Sequence, residues 1–350
     1  MLSTYAIGLM SGTSLDGLDI CYVHFKFQDS RWEFEILITE TQPYPLEWEE
    51  KLKNAFNLSA QDLAQLHSEY GLYLGEQTKS FIEKHKIQKL DVIASHGHTV
   101  FHQPHKKFTT QIGDGRAIKM ITHIPTVYDF RTQDVLLGGQ GAPLVPIGDE
   151  LLFGNFDACL NLGGFSNISF KKGEKRIAFD ICPVNIVLNL GAHKLGLKYD
   201  QDGKIAENYS VNDSLLNRWN QLDFYQQQPP KSLGVEWLND VFLNNGILKY
   251  SPQELIATAT EHAALQISKT LIENNLNSVL VTGGGAFNRY LIQRIKKIST
   301  KDIIVPASEI IEAKEALVFA FMGVLRMQNC NNVLSSATGS LYDHCSGILA

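Results

Sequence analysis

Short apolar runs separated by polar turns open the chain. Residues 5–10, 19–25 and 34–40 carry alternating or continuous apolar side chains, the pattern of β-strands joined by tight turns. From Asp62 to His85 the apolar residues recur every three or four positions, which predicts an amphipathic helix. The run from Leu90 to Gly97 predicts a buried strand ending in polar residues. The first part of the chain therefore has a predicted βββαβ order.

A similar order of elements begins again near the middle of the chain. Residues 159–170 predict a strand, a small-residue turn and a second strand, and residues 175–180 predict a third. A helix, a buried strand that runs into three glycines, and two further helices follow over residues 253–274, 278–285, 286–297 and 313–327. This repeat at domain scale predicts an α/β protein with two similar domains, for which 350 residues are ample.

Composition narrows the class of protein. A hydrophobic content of 44% with 19% charged residues is typical of a folded globular chain. The net charge of −6 provides no basic field for nucleic acid, so no nucleic-acid partner is expected. There is no basic, apolar leader and no run of about 20 apolar residues, which predicts a cytoplasmic protein without membrane contact. Five scattered cysteines without CxxC spacing are expected to be reduced thiols.

The turn between the first two predicted strands carries candidate chemistry. It reads GTSLDGLD, from Gly12 to Asp19. Its glycines permit close backbone approach, and its hydroxyl groups suit the oxygens of a phosphate. Asp16 and Asp19 could hold Mg²⁺ through water. An ordinary hairpin turn has the same composition, so residue types alone leave both interpretations open. The Walker and GxGxxG patterns are both absent from this stretch.

Two further glycine turns strengthen the phosphate interpretation. LGGFSN, from Leu162 to Asn167, also lies between two predicted strands. Two such hairpins, one from each domain, could enclose one polyphosphate from opposite sides. The glycines at 283–285 follow a buried strand and predict a platform for a nucleotide base, although a plain strand-to-helix turn is equally compatible.

Polar residues at the ends of predicted strands are the other candidates. Asp180 ends the third strand of the second domain, ahead of Pro183, which is predicted to lie in the first helical turn. Ligands of α/β proteins bind at such strand ends, although this stretch alone favours a helix-capping aspartate. His96 ends the strand of the first domain and is expected to line a cleft. Arg131 lies in a glycine-rich segment and could bind a sugar or a carboxylate, or simply belong to a linker.

A histidine cluster suggests a different function. His96, His98, His102 and His105 occur within ten residues, which raises the hypothesis of a zinc hydrolase. No cysteine and no HExxH spacing accompanies them, so a zinc site is disfavoured.

Taken together, the motifs resemble the anhydro-N-acetylmuramic acid kinase family of the actin, heat-shock chaperone and sugar kinase superfamily. The resemblance is carried in order by GLMSGTSLDGLD, ASHGHTVFHQP, QIGDG, DFRTQDVLLGGQGAPLVP, LNLGGFSNIS, AFDICPVN, PPKSLGVEW, ELIATATEHAA, VTGGGAFN and KEALVFA. It implies a two-domain actin-like ATPase of ribonuclease H-like fold with an interdomain cleft. The implied N-terminal domain is 1–130 plus 333–350 and the C-terminal domain 131–332.

The resemblance also implies an activity and its residues. ATP and water would open the 1,6-anhydro bond of anhydro-N-acetylmuramic acid and phosphorylate O6, giving N-acetylmuramic acid 6-phosphate in cell-wall recycling, in a homodimer. Asp180 matches the catalytic base, Asp16 is the implied Mg²⁺ ligand, and Arg131, Glu315 and His96 are the implied sugar contacts. The implied ATP contacts are Gly12, Thr13, Ser14, Leu15, Asp16, Gly17, Leu18, Asp19, Gly163, Gly164, Asn167, Gly283, Gly284 and Gly285.

One stretch departs from the family pattern. Many members read FDTGPGN with a further Asp beyond it, whereas this chain reads FDICPVN followed by Asn189. Ile181, Cys182 and Val184 therefore replace a hydroxyl residue and two glycines. The departure keeps open a kinase of a related amino sugar, and a non-catalytic nucleotide-binding module of the same fold is a separate alternative.

Overall fold

The computed structural model describes residues 2–12, 15, 17–244 and 250–350. The chain divides into two compact units. Unit 1 comprises Met1–Phe153 and Ala313–Ala350, and unit 2 comprises Gly154–Glu312. Element labels follow chain order.

Unit 1 contains eight of the described strands and seven of the described helices. The strands are β1 (Leu2–Ser11), β2 (Leu18–Gln28), β3 (Arg31–Gln42), β4 (Val92–Ser95), β5 (His98–Gln103), β6 (Phe108–Ile112), β7 (Thr126–Tyr128) and β13 (Ile348–Leu349). The helices are α1 (Leu46–Asn54), α2 (Ala60–Lys84), α3 (Gly115–Thr122), α4 (Thr132–Leu136), α5 (Pro146–Leu151), α12 (Ser308–Met327), which starts in unit 2, and α13 (Ser335–Thr338).

The main sheet of unit 1 has the order β13-β7-β4-β1-β2-β3. Strands β1, β2 and β3 form the expected antiparallel meander, while β4 pairs parallel to β1 and β7 pairs parallel to β4. Strands β5 and β6 form a separate hairpin. One face of the main sheet packs on α2, where Tyr70, Leu74 and Phe81 are buried. Gly8 of β1 allows α12 to approach closely, because a Cβ there would overlap the carbonyl oxygen of Ala316.

Unit 2 contains the remaining elements. Its strands are β8 (Ala158–Leu162), β9 (Phe165–Lys172), β10 (Lys175–Pro183), β11 (Ser278–Thr282) and β12 (Asp302–Ile304). Its helices are α6 (Asn185–Lys194), α7 (Lys204–Asn208), α8 (Asp213–Asn220), α9 (Val235–Trp237), α10 (Pro252–Glu273) and α11 (Arg289–Ser299). Ser251 caps α10 through its side chain, and most residues along α10 are buried, because the helix lies in the core of the unit.

The sheet of unit 2 repeats the topology of unit 1. Its order is β10-β9-β8-β11-β12, with three antiparallel strands followed by two that are parallel to β8. With the strands of each main sheet numbered in chain order, both sheets contain the order 3-2-1-4-5, which is the order of the ribonuclease H-like fold. The predictions of an α/β fold and of an architecture repeated at domain scale are confirmed.

Several expectations about boundaries need correction. The compact units divide after residues 153 and 312, not after residues 130 and 332, because the segment around Arg131 and Gly148 packs within unit 1. Pro183 ends β10 and does not enter the helix, which begins at Asn185. The last long helix begins at Ser308, before the predicted Ala313.

Two further predictions concern membrane spans and the state of the cysteines. Within the described ranges, no helix is both long enough and apolar enough to cross a bilayer. All five cysteines lie in the described part of the chain, and no disulfide bond joins any of them.

Candidate functional site

The first glycine turn connects β1 and β2 in unit 1. The two strands pair antiparallel up to Ser11 and Leu18, which confirms that they form a hairpin. Thr13, Ser14 and Asp16, the implied Mg²⁺ ligand, lie outside the described residues. Gly17 needs to be a glycine, because a Cβ would lie 2.6 Å from the carbonyl oxygen of Gln42.

The described residues of this turn include a strained one. Leu15 has a φ of 58°, in the left-handed region that bulky side chains rarely adopt. Such strain is common in ligand-binding loops, where the surrounding structure holds it. Beyond the turn, the Asp19 carboxylate accepts a 2.5 Å hydrogen bond from the Thr41 hydroxyl, which ties the start of β2 to β3.

The second glycine turn lies at the corresponding place in unit 2, between β8 and β9. The carbonyl groups of Gly163 and Gly164 accept hydrogen bonds from the backbone of Asn185 and Val184, at 3.2 and 2.8 Å. The Asn185 side chain donates to the carbonyl of Leu162 at 2.9 Å. The start of α6 therefore fixes the hairpin from behind. A Cβ on Gly164 would meet only Ile186, at 3.7 Å, so one side of the turn is open.

The triple-glycine turn lies directly beside this hairpin. Gly283 has a φ of 79°, and a Cβ on it would overlap the side chain of Asn161. A Cβ on Gly285 would lie 2.7 Å from the Cβ of Leu162. The structure thus brings the two predicted glycine motifs of unit 2 together, and both require close backbone packing.

A cavity of about 380 Å³ adjoins the triple-glycine turn. Its walls include the apolar side chains of Ala286, Ile292 and Val305 together with the charged Asp202 and Arg289. A flat apolar base with a polar sugar attached has that combination of surfaces. The glycine turns and the cavity therefore fit a nucleotide in unit 2.

Asp180 is half-buried near the end of β10, the edge strand of the unit 2 sheet. Its Oδ2 accepts a hydrogen bond of 2.8 Å from the backbone N–H of Leu233, and its own N–H donates to the carbonyl of Lys231 at 3.1 Å. Burial raises the pKa of the carboxyl group above its ordinary value, while the Leu233 N–H opposes the rise. Among the described residues, Oδ1 has no hydrogen-bond partner. The helix-capping alternative fails, since α6 begins at Asn185 and Asp180 bonds elsewhere.

The residues that depart from the family pattern point into unit 2. Ile181, Cys182 and Val184 are each at most 2% exposed and belong to its core cluster. The Cys182 Sγ lies 3.2 Å from the Ser166 hydroxyl, and burial raises the pKa of the thiol to about 12. Cys182 is therefore unsuited to act as a nucleophile at neutral pH.

The side chains of Arg131 and His96 are hydrogen-bonded to each other near the end of β4. The Arg131 Nε donates to His96 Nε2 at 2.9 Å, and His96 Nδ1 lies 2.9 Å from the carbonyl of Gly97. His96 is therefore neutral, with its proton on Nδ1, and burial holds its pKa well below the usual range. Burial also lowers the pKa of Arg131, to about 10, so that it stays charged at neutral pH.

A second support of Arg131 was not predicted. Its Nη1 donates to the carbonyl of Gly141 at 2.6 Å, and the N–H of Gly141 donates to Asp134 Oδ2 at 2.6 Å. Asp134 is fully buried and also accepts from the Thr338 hydroxyl at 2.7 Å. The glycine-rich composition around residue 139 was the available sequence signal, but it does not identify Asp134 as the anchor.

Glu315 lies on α12 in unit 1. Its side chain keeps contact with solvent, while the protein packed around it raises the pKa of its carboxyl group. The charges of Arg131 and Lys314 oppose that rise, so Glu315 and Arg131 are near neighbours. A cation and an anion presented together can bind a polar sugar through its hydroxyl groups.

The histidine cluster forms no metal site. Within the described part of the chain, no group of three or more His, Cys, Asp or Glu side chains could hold a metal ion. His98 Nδ1 lies 3.1 Å from the Ser11 hydroxyl, which also accepts from the Tyr44 hydroxyl at 2.8 Å. His102 Nδ1 lies 3.1 Å from the Thr109 hydroxyl. The rings of His98 and His102 contact the β5–β6 hairpin and its neighbours, which gives the zinc hydrolase hypothesis no support.

Comparison with known proteins agrees with the motifs. Residues 4–349 match the family model described as anhydro-N-acetylmuramic acid kinase. The kinase of that name from Mannheimia succiniciproducens is 34% identical and covers 100% of this chain and 99% of its own length. The kinase from Haemophilus influenzae is 33% identical over 97% of this chain and 96% of its own length. The one from Bacillus cereus is 31% identical over 96% of this chain and 96% of its own length.

Solved structures with other names also align. The activator of the 2-hydroxyisocaproyl-CoA dehydratase from Clostridium difficile with bound ADPNP covers 93% of this chain and 97% of its own, at 14% identity and a TM-score of 0.43. A ROK family glucokinase from Streptomyces griseus in complex with glucose and AMPPNP covers 91% and 99%, at 10% identity and a TM-score of 0.41. The family rests on the match along the whole chain: this protein belongs to the anhydro-N-acetylmuramic acid kinase family.

Proposed function

We propose that this chain uses ATP and water to convert anhydro-N-acetylmuramic acid into N-acetylmuramic acid 6-phosphate, the reaction implied by its family. The single observation that carries the mechanism is the environment of Asp180. One carboxylate oxygen is held by the Leu233 N–H, and the other has no partner among the described residues. Burial makes this carboxylate more basic than one in water, which suits a general base.

In the proposed reaction, water attacks the sugar and ATP supplies the phosphoryl group. Asp180 takes a proton from a water molecule through Oδ1, and the water oxygen bonds to the anomeric carbon. The bond between that carbon and O6 breaks, and O6 receives the γ-phosphoryl group of ATP, which leaves as ADP. Asp180 then releases its proton to solvent. Phosphoryl transfer depends mainly on positioning and charge neutralisation, which the other proposed residues would supply.

The proposed nucleotide contacts are in both units. In unit 2, Gly163, Gly164 and Asn167 would contact phosphates, and the turn at 283–285 with its cavity would hold the adenosine. In unit 1, the turn from Gly12 to Asp19 would contact phosphates, and Asp16 would hold Mg²⁺, which would neutralise charge on the phosphates when bound. The support for the unit 2 contacts is the close backbone packing that excludes any Cβ at Gly283 and Gly285.

Arg131 and Glu315 are the proposed sugar contacts. The Arg131 guanidinium is fixed at Nε and Nη1, so its remaining N–H groups are oriented before a ligand binds. His96 is 4% exposed, with both ring nitrogens engaged, and this favours a supporting role behind Arg131 over direct contact with the sugar. The family resemblance extends the proposal to a cytoplasmic homodimer.

The test is ADP release by the purified chain with anhydro-N-acetylmuramic acid, with N-acetylmuramic acid, and without sugar. We expect turnover with the anhydro sugar alone, and ³¹P NMR should show one sugar 6-phosphate formed for each ADP. Turnover without sugar would contradict the proposal. Preference for another amino sugar would favour the related kinase, and ATP binding without any turnover would favour the non-catalytic module.

A further inference from the structure

Residues 231–233 form a short irregular segment, here called the clamp segment, along the outer edge of β10. The sequence PPKSLG that contains it was a family motif without an assigned role. The Asp180 N–H donates to the carbonyl of Lys231 at 3.1 Å, and the Leu233 N–H donates to Asp180 Oδ2 at 2.8 Å. Two main-chain bonds therefore bracket Asp180, one on its backbone and one on its carboxylate.

The side chain of Lys231 anchors the clamp segment to the core of unit 2. Its Nζ donates to the carbonyl of Phe224 at 3.2 Å and lies 4.6 Å from the centre of the Phe224 ring. It also lies 5.9 Å from the ring of Phe179, the residue before Asp180. Phe224 is buried in the core of the unit, so the ammonium group joins the clamp segment to a fixed support.

The charge of Lys231 does not act directly on the carboxylate. Among the described residues, no ion pair within 4.0 Å joins Lys231 to an acidic side chain. The charged and titratable groups that affect the pKa of Lys231 are Lys269, Glu273 and Cys182. The pKa of Asp180 responds to burial and to the Leu233 N–H. The contacts that connect Lys231 with Asp180 are therefore the main chain of the clamp segment and the ring of Phe179, and the shorter Phe224 contacts favour the clamp segment.

We propose that Lys231 is a positioning residue for Asp180. Its ammonium group holds the clamp segment against Phe224, and the clamp segment holds Oδ2 so that Oδ1 is presented to the reacting water. This inference rests on the proposed function of Asp180 as the base. It assigns the PPKSLG motif to the orientation of that base.

Lys231→Met tests the proposal, because methionine keeps most of the stem and removes the charge and the donor. We expect kcat to fall by about 10- to 100-fold, since a misplaced catalytic group costs about that much, with the KM for ATP unchanged. The acid limb of kcat/KM should move to higher pH, because loss of the Leu233 bond removes the contact that lowers the pKa of Asp180. Lys231→Arg keeps the donor and the cation and should retain activity within about threefold.

Lys269→Met is the matched control. Lys269 is an exposed lysine of α10 that influences Lys231 electrostatically but makes no bond to the clamp segment. Its loss should change neither kcat nor the pH profile. An equal loss in Lys269→Met, or an unchanged kcat and pH profile in Lys231→Met, would overturn the proposal.

A second measurement does not depend on activity. The pKa of Asp180 can be followed by ¹³C NMR of the carboxyl groups, with the resonance assigned by its absence in Asp180→Asn. It should rise in Lys231→Met and remain unchanged in Lys269→Met. If the native chain does not turn over the anhydro sugar, this shift still supports the clamp and only the proposed function fails. If Lys231→Met does not fold, Lys231→Gln, which keeps a shorter donor, is expected to give a smaller shift of the same sign. No shift would overturn the proposal.

Discussion

The two units have the same sheet topology but carry different chemistry on it. Both place a glycine hairpin between their first and second strands. In unit 1 the last paired residues are Ser11 and Leu18, so six residues of the sequence lie between them. In unit 2 they pair up to Leu162 and Ser166, which leaves only residues 163–165. The longer turn carries hydroxyl and carboxylate side chains, whereas the shorter one offers mainly backbone.

The carboxylates also occupy different strands. In unit 1, Asp19 on the second strand pairs with Thr41 on the third. At the corresponding position of unit 2 the second strand carries Asn167, and its partner on the third strand is Asp180. Asp19 accepts a side-chain hydroxyl, whereas Asp180 accepts only a main-chain N–H and keeps one oxygen available among the described residues. The same fold thus carries a carboxylate bound by a neighbouring side chain in one unit and a carboxylate bound by the main chain in the other.

The largest expected effect separates these two carboxylates. Asp180→Asn keeps the shape but removes the base, so kcat should fall by about 10³-fold or more, with little change in the KM for ATP. Asp19→Asn should mainly raise the KM for ATP, because Asp19 belongs to the proposed phosphate turn. Steady-state kinetics at varied ATP and saturating sugar measure both. Similar changes in the two variants would break the division of labour between the units.

A smaller effect separates the two hairpins. Gly17→Ala would place a Cβ 2.6 Å from the Gln42 carbonyl and 2.9 Å from Thr41 Cγ2, so the backbone must move. We expect a loss of about 1–3 kcal/mol in the free energy of unfolding, the usual cost of overpacking. Gly164→Ala meets nothing closer than 3.7 Å, and its unfolding free energy should stay within about 0.5 kcal/mol of the native value. Denaturant titration measures both, and equal losses would contradict the described packing.

An effect of similar size concerns buried neutral histidines, of which His98 lies in unit 1 and His262 in unit 2. Burial lowers the pKa of His98 in unit 1 to about 4 and that of His262 in unit 2 to about 3. The unfolded chain binds a proton below about pH 6.5 and the folded chain does not, so stability falls as pH falls from 6.5 toward these values. Each histidine should cost about 2 kcal/mol between pH 7 and pH 5.

His262→Leu sharpens this comparison. The ring nitrogens of His262 have no partner among the described residues, and the ring lies between Trp219, Tyr225 and Phe242. The variant should lose the share of pH dependence that belongs to His262 while keeping that of His98 and His96, whose pKa burial also lowers. Denaturant titrations at pH 7 and pH 5 measure the difference, and an unchanged pH dependence would show that His262 does not titrate on unfolding.

The sequence predicted the parts of the fold that follow from periodic patterns. The meander of unit 1, the long amphipathic helix and the repeated strand order all follow from apolar periodicity, which backbone geometry converts directly into strands and helices. The glycine turns were predicted as hairpins for the same local reason. The exact ends of the helices and strands were harder to predict. Proline is common at helix starts, but Pro183 lies in strand β10. Pairing of β10 with β9 outweighs that local preference.

The sequence could indicate a candidate site residue only where its residue type has a recognised chemical role. Asp180, Arg131 and the glycines became candidates because carboxylates, guanidinium groups and glycine turns have recognisable uses, and the family resemblance then implied their roles, which stay predictions. Their supports were not found, since the Asp134 carboxylate reaches Arg131 only through the backbone of Gly141, and Leu233 reaches Asp180 by its N–H alone. Any residue can provide a backbone bond, so sequence carries little signal for it. The domain boundaries failed for a similar reason, because they depend on which unit the linker packs against.

The clamp segment has a further consequence, for the behaviour of the chain in concentrated solution. Strand β10 is the edge of its sheet, and unpaired N–H and C=O groups on an edge can pair with a strand from another molecule. The carbonyl of Lys231 occupies the outward N–H of Asp180 and so covers one point of that edge. The segment proposed to orient the base therefore also covers the strand edge beside it, and it does so through a different bond, since the Leu233 N–H holds the carboxylate and the Lys231 carbonyl covers the strand.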